Sequence, residues 1–401
     1  MKIGIIREGK TPPDSRVPLT PKQCRHIIDN YPVQINVQKS PGRCYTNEEY
    51  EAEGITLVDD VADCEVLMGV KEVPINQLIS DKTYFFFSHT IKKQAYNRGL
   101  LLAILEKNIR MIDYETLTNE RGSRLIAFGR FAGIVGAHNG VMTYGWRTGA
   151  FDLRRMKDCH DYAEAKNIYK TLKLPNFKTV VTGTGRVSNG AVEVLEAMNI
   201  RRVSPDEFLK NDYNEAVFTQ LECADYAQHK VTKDLDKADF YENPQNYESK
   251  FVPYTQVADL MINGIYWDNR APTFFTAEDM KRDDFRIRVI ADVTCDIAPV
   301  SSIPSTLHAS TIANPIFGYD IEKQEVAKLH QANVVDMMTI DNLPNEMPRD
   351  ASQSFGEQFI GSVLEELLDD KKSSIIQRAT VAADGKLGSH FDYLKDYVEG
   401  I

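Results

Sequence analysis

The segment VVTGTGRVSNG (180–190) constrains this chain more than any other. An apolar run enters a turn with two glycines one residue apart and leaves into helix-forming text. That is the strand–turn–helix unit of a parallel α/β sheet. The first glycine permits the tight turn, and beside the second a pyrophosphate can approach the backbone. The helix N-terminus then offers unpaired N–H groups and the positive end of its dipole. The spacing departs from G-x-G-x-x-G, because Ser188 holds the third glycine's place and the next glycine is Gly190. Serine is small enough to keep strand and helix close. Gly183, Thr184, Gly185, Arg186 and Val187 are therefore candidate dinucleotide contacts. The competing reading is a glycine-rich turn that holds no ligand.

Such a site also wants a carboxylate at the end of its second strand, for the adenosine ribose hydroxyls. Asp206 follows Gly185 by 21 residues, near the usual spacing, but VSPDEF (203–208) looks like a helix start. Glu222 follows by 37 residues and directly ends a better strand, AVFTQL (216–221). We favour Glu222, with Asp206 as the alternative. Either acid argues for NAD over NADP, although Arg201 and Arg202 lie near enough to meet a 2′-phosphate.

The rest of the chain fits a doubly wound α/β plan. Its 401 residues suggest two or three domains at about 150 residues each. Strand-like runs fall at 3–6, 33–37, 56–58, 65–70 and 84–88, with helical stretches at 21–30 and 47–53. EVLMGV and YFFFS are continuous apolar runs, as in strands buried on both faces. The stretch 126–146 (IAFGRFAGIVGAHNGVMTYGW) reads as a long helix packed against another backbone, able to join two domains. A second series follows, with strands at 178–181, 216–221, 259–267 and 286–293 and a helix at 191–198. Residues 224–253 are aromatic-rich and non-periodic, and read as a surface insertion. An amphipathic helix is expected at 353–369.

Lys71 directly follows the run 65–70, and His89 follows 84–88. Parallel strands end at one sheet edge, where α/β ligands bind. The pair is therefore a candidate for proton transfer, against a surface lysine and a capping histidine. Arg7 and Arg16 flank the loop REGKTPPDSR, and Arg124 sits in ERGSR. Their functional reading is bidentate binding of substrate carboxylates, against simple pairing with nearby acids.

Assembled, these residues resemble the alanine dehydrogenase and lysine-forming saccharopine dehydrogenase superfamily. The likeness runs through IREGKTPPDSRVPLTP (6–21), GVKEVP (69–74), SHTIKKQ (88–94) and DYETLTNERGSRLIAFGRFAGIVGA (113–137). It continues through GTGRVSNGA (183–191), NGIYW (263–267), ADVTCD (291–296) and DNLPNEMPRDAS (341–352). The R-x-x-A-F-G-x-x-A-G pattern and the closing D-x-L-P-x-x-x-P-R-x-A-S look more like saccharopine dehydrogenase than alanine dehydrogenase. The resemblance implies an acid–base pair at Lys71 and His89, modulated by Glu72 and Glu115. It implies carboxylate-binding Arg16 and Arg124, an aspartate near the nicotinamide at Asp296, and cofactor contacts at Tyr266 and Asp292. It also implies two Rossmann-like domains with parallel sheets, 1–135 plus 320–401 and 136–319, with the active site in a cleft between them. The stretch 206–253 is longer than that family leads one to expect.

The formal charge of −11 disfavours a nucleic-acid partner. No apolar run approaches the roughly 18 residues of a membrane span, and MKIGIIREGK opens as a strand rather than a signal peptide. The six cysteines form no C-x-x-C, and no metal is expected. They read as thiols of a reducing compartment, so a cytoplasmic setting is expected. A homo-oligomer is compatible with all of this. The expected activity is NAD-dependent cleavage of saccharopine to lysine and 2-oxoglutarate. Another amino-acid dehydrogenase that releases ammonia is the alternative, and a non-catalytic NAD-binding regulator is the competing class.

Overall fold

A computed structural model describes residues 1–369 and 372–400. The chain divides into two compact units, one of Met1–Phe128 with residues from Pro348 onward, the other of Gly129–Met347.

The first unit holds an eight-stranded sheet. In chain order its strands are β1 (Lys2–Ile5), β2 (Gln34–Gln38), β3 (Thr56–Val58), β4 (Val66–Met68), β5 (Thr83–Phe86) and β6 (Arg110–Asp113). These six pair in parallel in the order β6-β5-β4-β1-β2-β3. Alternation of side chains builds a core on each face. Met68 and Phe85 join a cluster with Ile27, Phe355 and Phe359, whereas Leu67, Tyr84 and Phe86 join Leu101 and Ile104. The strand order reverses between β1 and β4, which opens a crevice at their carboxyl ends.

The second unit repeats the plan. Its strands are β7 (Lys178–Thr182), β8 (Arg201–Arg202), β9 (Val217–Leu221), β10 (Ala227–His229), β11 (Tyr247–Ser249), β12 (Leu260–Asn263) and β13 (Val289–Asp292). Then come β14 (Ile316–Asp320), β15 (Glu325–Ala327) and β16 (Val334–Met338). The main sheet runs β15-β14-β16-β13-β12-β7-β9-β8, with β10 and β11 apart as an antiparallel pair. Its order reverses at β7, between β9 and β12, so the glycine turn after β7 sits at a switch point. The expected long helix is Gly129–Thr148. It lies against the helix Arg186–Ala197 so closely that a Cβ on Gly133 would fall 1.7 Å from the Val187 carbonyl oxygen.

Three expectations change. The boundaries expected at 135/136 and 319/320 fall instead at 128/129 and 347/348. The later one moves because β14 and β16 pair back onto β13, extending the second sheet. The chain then returns to the first unit through Pro348–Ser362, whose Phe359 meets Phe85 edge-on at 6.0 Å, and the helix expected at 353–369 breaks at Val363. Residues 224–253 are no mere surface insertion. Tyr226, Phe240, Tyr247 and Phe251 are buried in the second unit's core, because aromatic side chains of that size stabilise chiefly by burial. No helix of the described residues is long and apolar enough to cross a membrane. The last strands of the first sheet are β17 (Thr380–Ala383), antiparallel to β6, and β18 (Lys386–Leu387).

Candidate active site

In the first unit the chemistry gathers at the carboxyl ends of β1, β4 and β5. His89 Nδ1 meets Glu72 Oε1 at 2.5 Å, and the Lys10 ammonium donates to Glu72 Oε2 at 2.7 Å. Burial alone would raise the Glu72 carboxyl, but the His89 and Lys10 hydrogen bonds outweigh it and hold it at about 2. Glu72 is thus a carboxylate and can only accept. Nδ1 must carry the hydrogen, which leaves Nε2 to exchange a proton. His89 holds a left-handed backbone, φ 53°. Such strain persists where the surroundings over-determine it. Here neighbouring Ser88 is buried, and its N–H and hydroxyl both donate to Asp113.

Lys71 is set in place through its backbone. Glu8 accepts from the amides of Val70 at 2.6 Å and Lys71 at 3.0 Å. Burial, then the charge of Arg16, lower the Lys71 amine to about 8, against the opposing pull of Asp14 and Glu72. Near neutral pH a useful fraction is therefore unprotonated. Burial also pushes the Glu8 carboxyl up to about 7.

The arginines are paired. Arg16 is 3% exposed, donates to Asp14 Oδ1 at 2.9 Å and Oδ2 at 2.5 Å, and lies over the Phe128 ring. With Arg7 and Arg43 it lines a cavity of about 50 Å³ that Glu8 and Asp14 also border. The Arg124 side chain is 46% exposed and pairs with Glu115, which Lys92 approaches at 3.7 Å.

In the second unit, Gly183 takes φ 91°, and a Cβ there would fall 2.8 Å from Ser188 Oγ. Ser188 is buried and its hydroxyl ties Thr182 O to the helix at 2.7 Å, so it does the work of the missing third glycine. At Gly185 a Cβ would meet nothing within 4 Å. The helix Arg186–Ala197 starts there without a side-chain cap. An open backbone cradle at an uncapped helix start fits a diphosphate. Glu222 follows β9, whose Leu221 carbonyl accepts from the Gly183 amide at 2.8 Å. Asp206 lies instead on the helix Pro205–Lys210, exposed and paired with Lys210 at 2.5 Å. The guanidinium groups of Arg201 and Arg202 go to Glu215 and Gln220.

A cavity of about 390 Å³ opens from Gly183–Gly185 and is walled by Cys223, Tyr226, Tyr241, Trp267 and Phe274. A second, of about 370 Å³, is lined by Asp296, and Tyr266 borders both. Tyr266 is 94% exposed. Asp292 belongs to neither cavity's lining. It is 1% exposed and accepts from Thr306 at 2.6 Å and Asn263 at 2.8 Å. Its carboxyl, pushed up to about 6 by burial, also accepts from the Cys295 amide and so braces the loop after β13. The sequence reading missed Glu8, Lys10, Ser88 and Asp113. Glu8 and Lys10 stood in the REGK loop after β1, and only their type and place hinted at a role. The walls of the larger cavity were signalled by the aromatic content of 224–253.

Residues 4–135 match the family of the alanine dehydrogenase/PNT N-terminal domain. The chain as a whole resembles the alanine dehydrogenase and saccharopine dehydrogenase superfamily. It is 28% identical over 448 aligned positions to the mitochondrial alpha-aminoadipic semialdehyde synthase of Mus musculus, covering 98% of this chain and 47% of that protein. The chain thus spans about half the length of that curated relative. It is 25% identical over 394 positions to the NAD(+), L-lysine-forming saccharopine dehydrogenase of Neurospora crassa, covering 94% of each. Among solved structures, an L-alanine dehydrogenase superposes with a TM-score of 0.67 at 16% identity over 100% of this chain and 99% of that one. A transhydrogenase from Sinorhizobium meliloti does so at 0.57 and 12% identity, covering 96% and 98%. These two show the fold.

Proposed function

We propose that the chain is an NAD-dependent oxidoreductase acting on a CH–NH group, and that it cleaves saccharopine to L-lysine and 2-oxoglutarate. The observation that carries this reading is the Glu72–His89 clamp beside a lysine whose amine sits near 8. The likeness to a lysine-forming saccharopine dehydrogenase over 94% of both chains supports the substrate. Gly183, Thr184, Gly185, Arg186 and Val187 hold the cofactor's diphosphate, with Glu222 at the ribose. Bound there, NAD supplies the hydride acceptor for the glutamyl α-carbon.

The residues of this chain then manage protons and charge. Lys71 takes the proton of the secondary ammonium, freeing the nitrogen lone pair so that loss of hydride from the α-carbon leaves a protonated imine. His89 Nε2 accepts a proton from water as its oxygen bonds the imine carbon. It returns that proton to the departing lysine nitrogen as the C–N bond breaks, and the carbinol hydroxyl's proton passes to the same nitrogen, leaving the carbonyl of 2-oxoglutarate and the lysine ammonium. Glu72 fixes the ring and its tautomer, and Lys10 fixes Glu72. Arg124 anchors a substrate carboxylate by exchanging its exposed pairing with Glu115. The small cavity bordered by Arg7, Arg16 and Arg43 suits a second carboxylate.

A product assay tests the reading. Saccharopine and NAD should give lysine, 2-oxoglutarate and NADH in equal amounts. Ammonia released from alanine or another amino acid, with saccharopine inert, would reject the substrate. Cofactor binding without turnover on either would reject the enzyme.

A further inference from the structure

The carboxyl edge of the first sheet holds one fully buried acid that the proton transfers above do not use. Asp113 ends β6 directly opposite Phe86, the last residue of β5. Three neutral donors reach it. Its Oδ1 accepts from the Glu115 amide at 2.8 Å, and its Oδ2 accepts from the Ser88 amide at 3.0 Å and the Ser88 hydroxyl at 2.5 Å. The Oδ1 bond is an ordinary cap on the turn Tyr114–Thr116. That cap does not explain the Oδ2 bonds, because Ser88 follows another strand, 25 residues earlier. Burial pushes the Asp113 carboxyl up, and the Ser88 and Glu115 bonds pull against it. The Ser88 hydroxyl gives its one hydrogen to Asp113, so it accepts from the Thr90 amide at 3.2 Å and the Thr90 hydroxyl at 2.7 Å. A chain of hydrogen bonds thus runs from Thr90 through Ser88 to Asp113 and closes around His89. His89 is held between them at φ 53° and ψ 8°. In that left-handed corner its ring lies 6.4 Å from the Phe87 ring, at 18° to it, with Nδ1 on Glu72 Oε1.

We propose that Asp113 is a positioning residue that sets two functional side chains at once. Through Ser88 and Thr90 it aims His89 at Glu72, and through the Glu115 amide it places the acid that pairs with Arg124. Its effect on turnover rests on the proton role given to His89 above. The residue must be a carboxylate, because its two oxygens serve two different turns with acceptors only. An asparagine of the same shape presents one acceptor and one donor. Its amide N–H would face either the Ser88 N–H or the Glu115 N–H, donor against donor, and one of the turns is released. Freedom at the Ser88 turn moves the imidazole off Glu72, and a misplacement of about 1 Å can cost about 10²-fold in rate.

The test compares Asp113→Asn in two backgrounds of the full chain, wild type and His89→Gln, with saccharopine and NAD as substrates. In the wild type it should lower kcat about 10- to 100-fold while NAD affinity stays within about twofold. In His89→Gln it should lower the remaining kcat by less than about twofold, because the side chain it aims is already gone. The KM for saccharopine, read through Glu115 and Arg124, should rise in both backgrounds. Ser88→Ala removes a single hydroxyl and carries the same two-background test of kcat if Asp113→Asn does not fold. Nitrogen-15 NMR of the histidine-labelled chain, at a pH where the ring is neutral, gives a readout without substrate. The wild type should show His89 with its hydrogen on Nδ1, and both variants should move part of it to Nε2. Equal losses of kcat in the two backgrounds, with an unmoved tautomer, would overturn the positioning role and leave the reaction reading standing. Saccharopine inert in the wild type would overturn the reaction reading. The tautomer then decides the positioning role by itself, and His89 unmoved in both variants would overturn it.

Discussion

At the carboxyl edge of the first sheet nearly every ionisable group answers another: Glu72 holds His89 and Lys10, Glu8 holds the backbone of Lys71, Asp14 holds Arg16, and Glu115 holds Arg124. The same edge of the second sheet is built from absences of side chain. Two glycines, a small serine and an uncapped helix start face a cavity walled mostly by aromatic rings. One construction tunes protons, because clustered charges and burial move pKa values. The other suits binding, because bare backbone and flat rings offer contact without titrating. The same doubly wound topology thus carries two kinds of chemistry, and the loop residues after each strand decide which.

Substitutions at the first edge give the largest expected effect. Lys71→Met and His89→Gln should each lower kcat by about 10²–10⁴-fold, while NAD affinity stays within twofold. Turnover close to wild type in either variant rejects that residue's role. Loss of NAD binding in both would show that the two edges are not functionally separate.

Next comes the backbone cradle. Gly183→Ala forces a side chain into φ 91° and against Ser188 Oγ. It should cost about 1–3 kcal/mol of stability and weaken NAD several-fold or more. Thermal unfolding and titration check both, and an unshifted Tm would mean the turn relaxes freely.

A pH profile sharpens the first edge. Lys71 must be neutral to accept a proton, and its ammonium form dominates below about 8. In the oxidative direction kcat/KM should therefore rise about tenfold per pH unit up to roughly 8 and level off above it. A flat profile between pH 6 and 9 would remove Lys71 as the base.

The smallest effect separates the two acids. Glu222→Ala should weaken NAD several-fold, whereas Asp206→Ala breaks only an exposed i,i+4 pair with Lys210 and should change affinity by less than twofold. The opposite ranking would move the ribose contact to Asp206.

Much of this molecule was legible beforehand because its signals are local. Pro21–Asn30 forms the expected helix, with Thr20 and Gln23 closing a capping box. The apolar runs at 65–70 and 84–88 form β4 and β5, side by side and parallel. That placed Lys71 and His89 at one edge before any side-chain contact was known. The glycine spacing announced a strand-to-helix turn, and the Gly- and Ala-rich run announced a helix against another backbone.

What stayed hidden was non-local. Nothing near residue 320 distinguishes a strand that extends the second sheet from one that returns to the first. Pairing across β13, β16 and β14 settles it. The partners of the Asp292 carboxyl were equally hidden: Thr306 and Asn263 stand 14 and 29 positions away. The aromatic segment 224–253 had no period to read, because its residues fill a core and wall a cavity without following a helix or strand face. Sequence by itself determined many elements of the two α/β series, the parallel class of their sheets and the chemical types at those strand ends, since period, capping and turn chemistry act within a few residues. Only the tertiary structure decided which charges pair and which aromatics wall the cavity. Those outcomes depend on distances between residues far apart in the chain, and hydrogen bonds and ion pairs of 2.5–3 Å admit no slack.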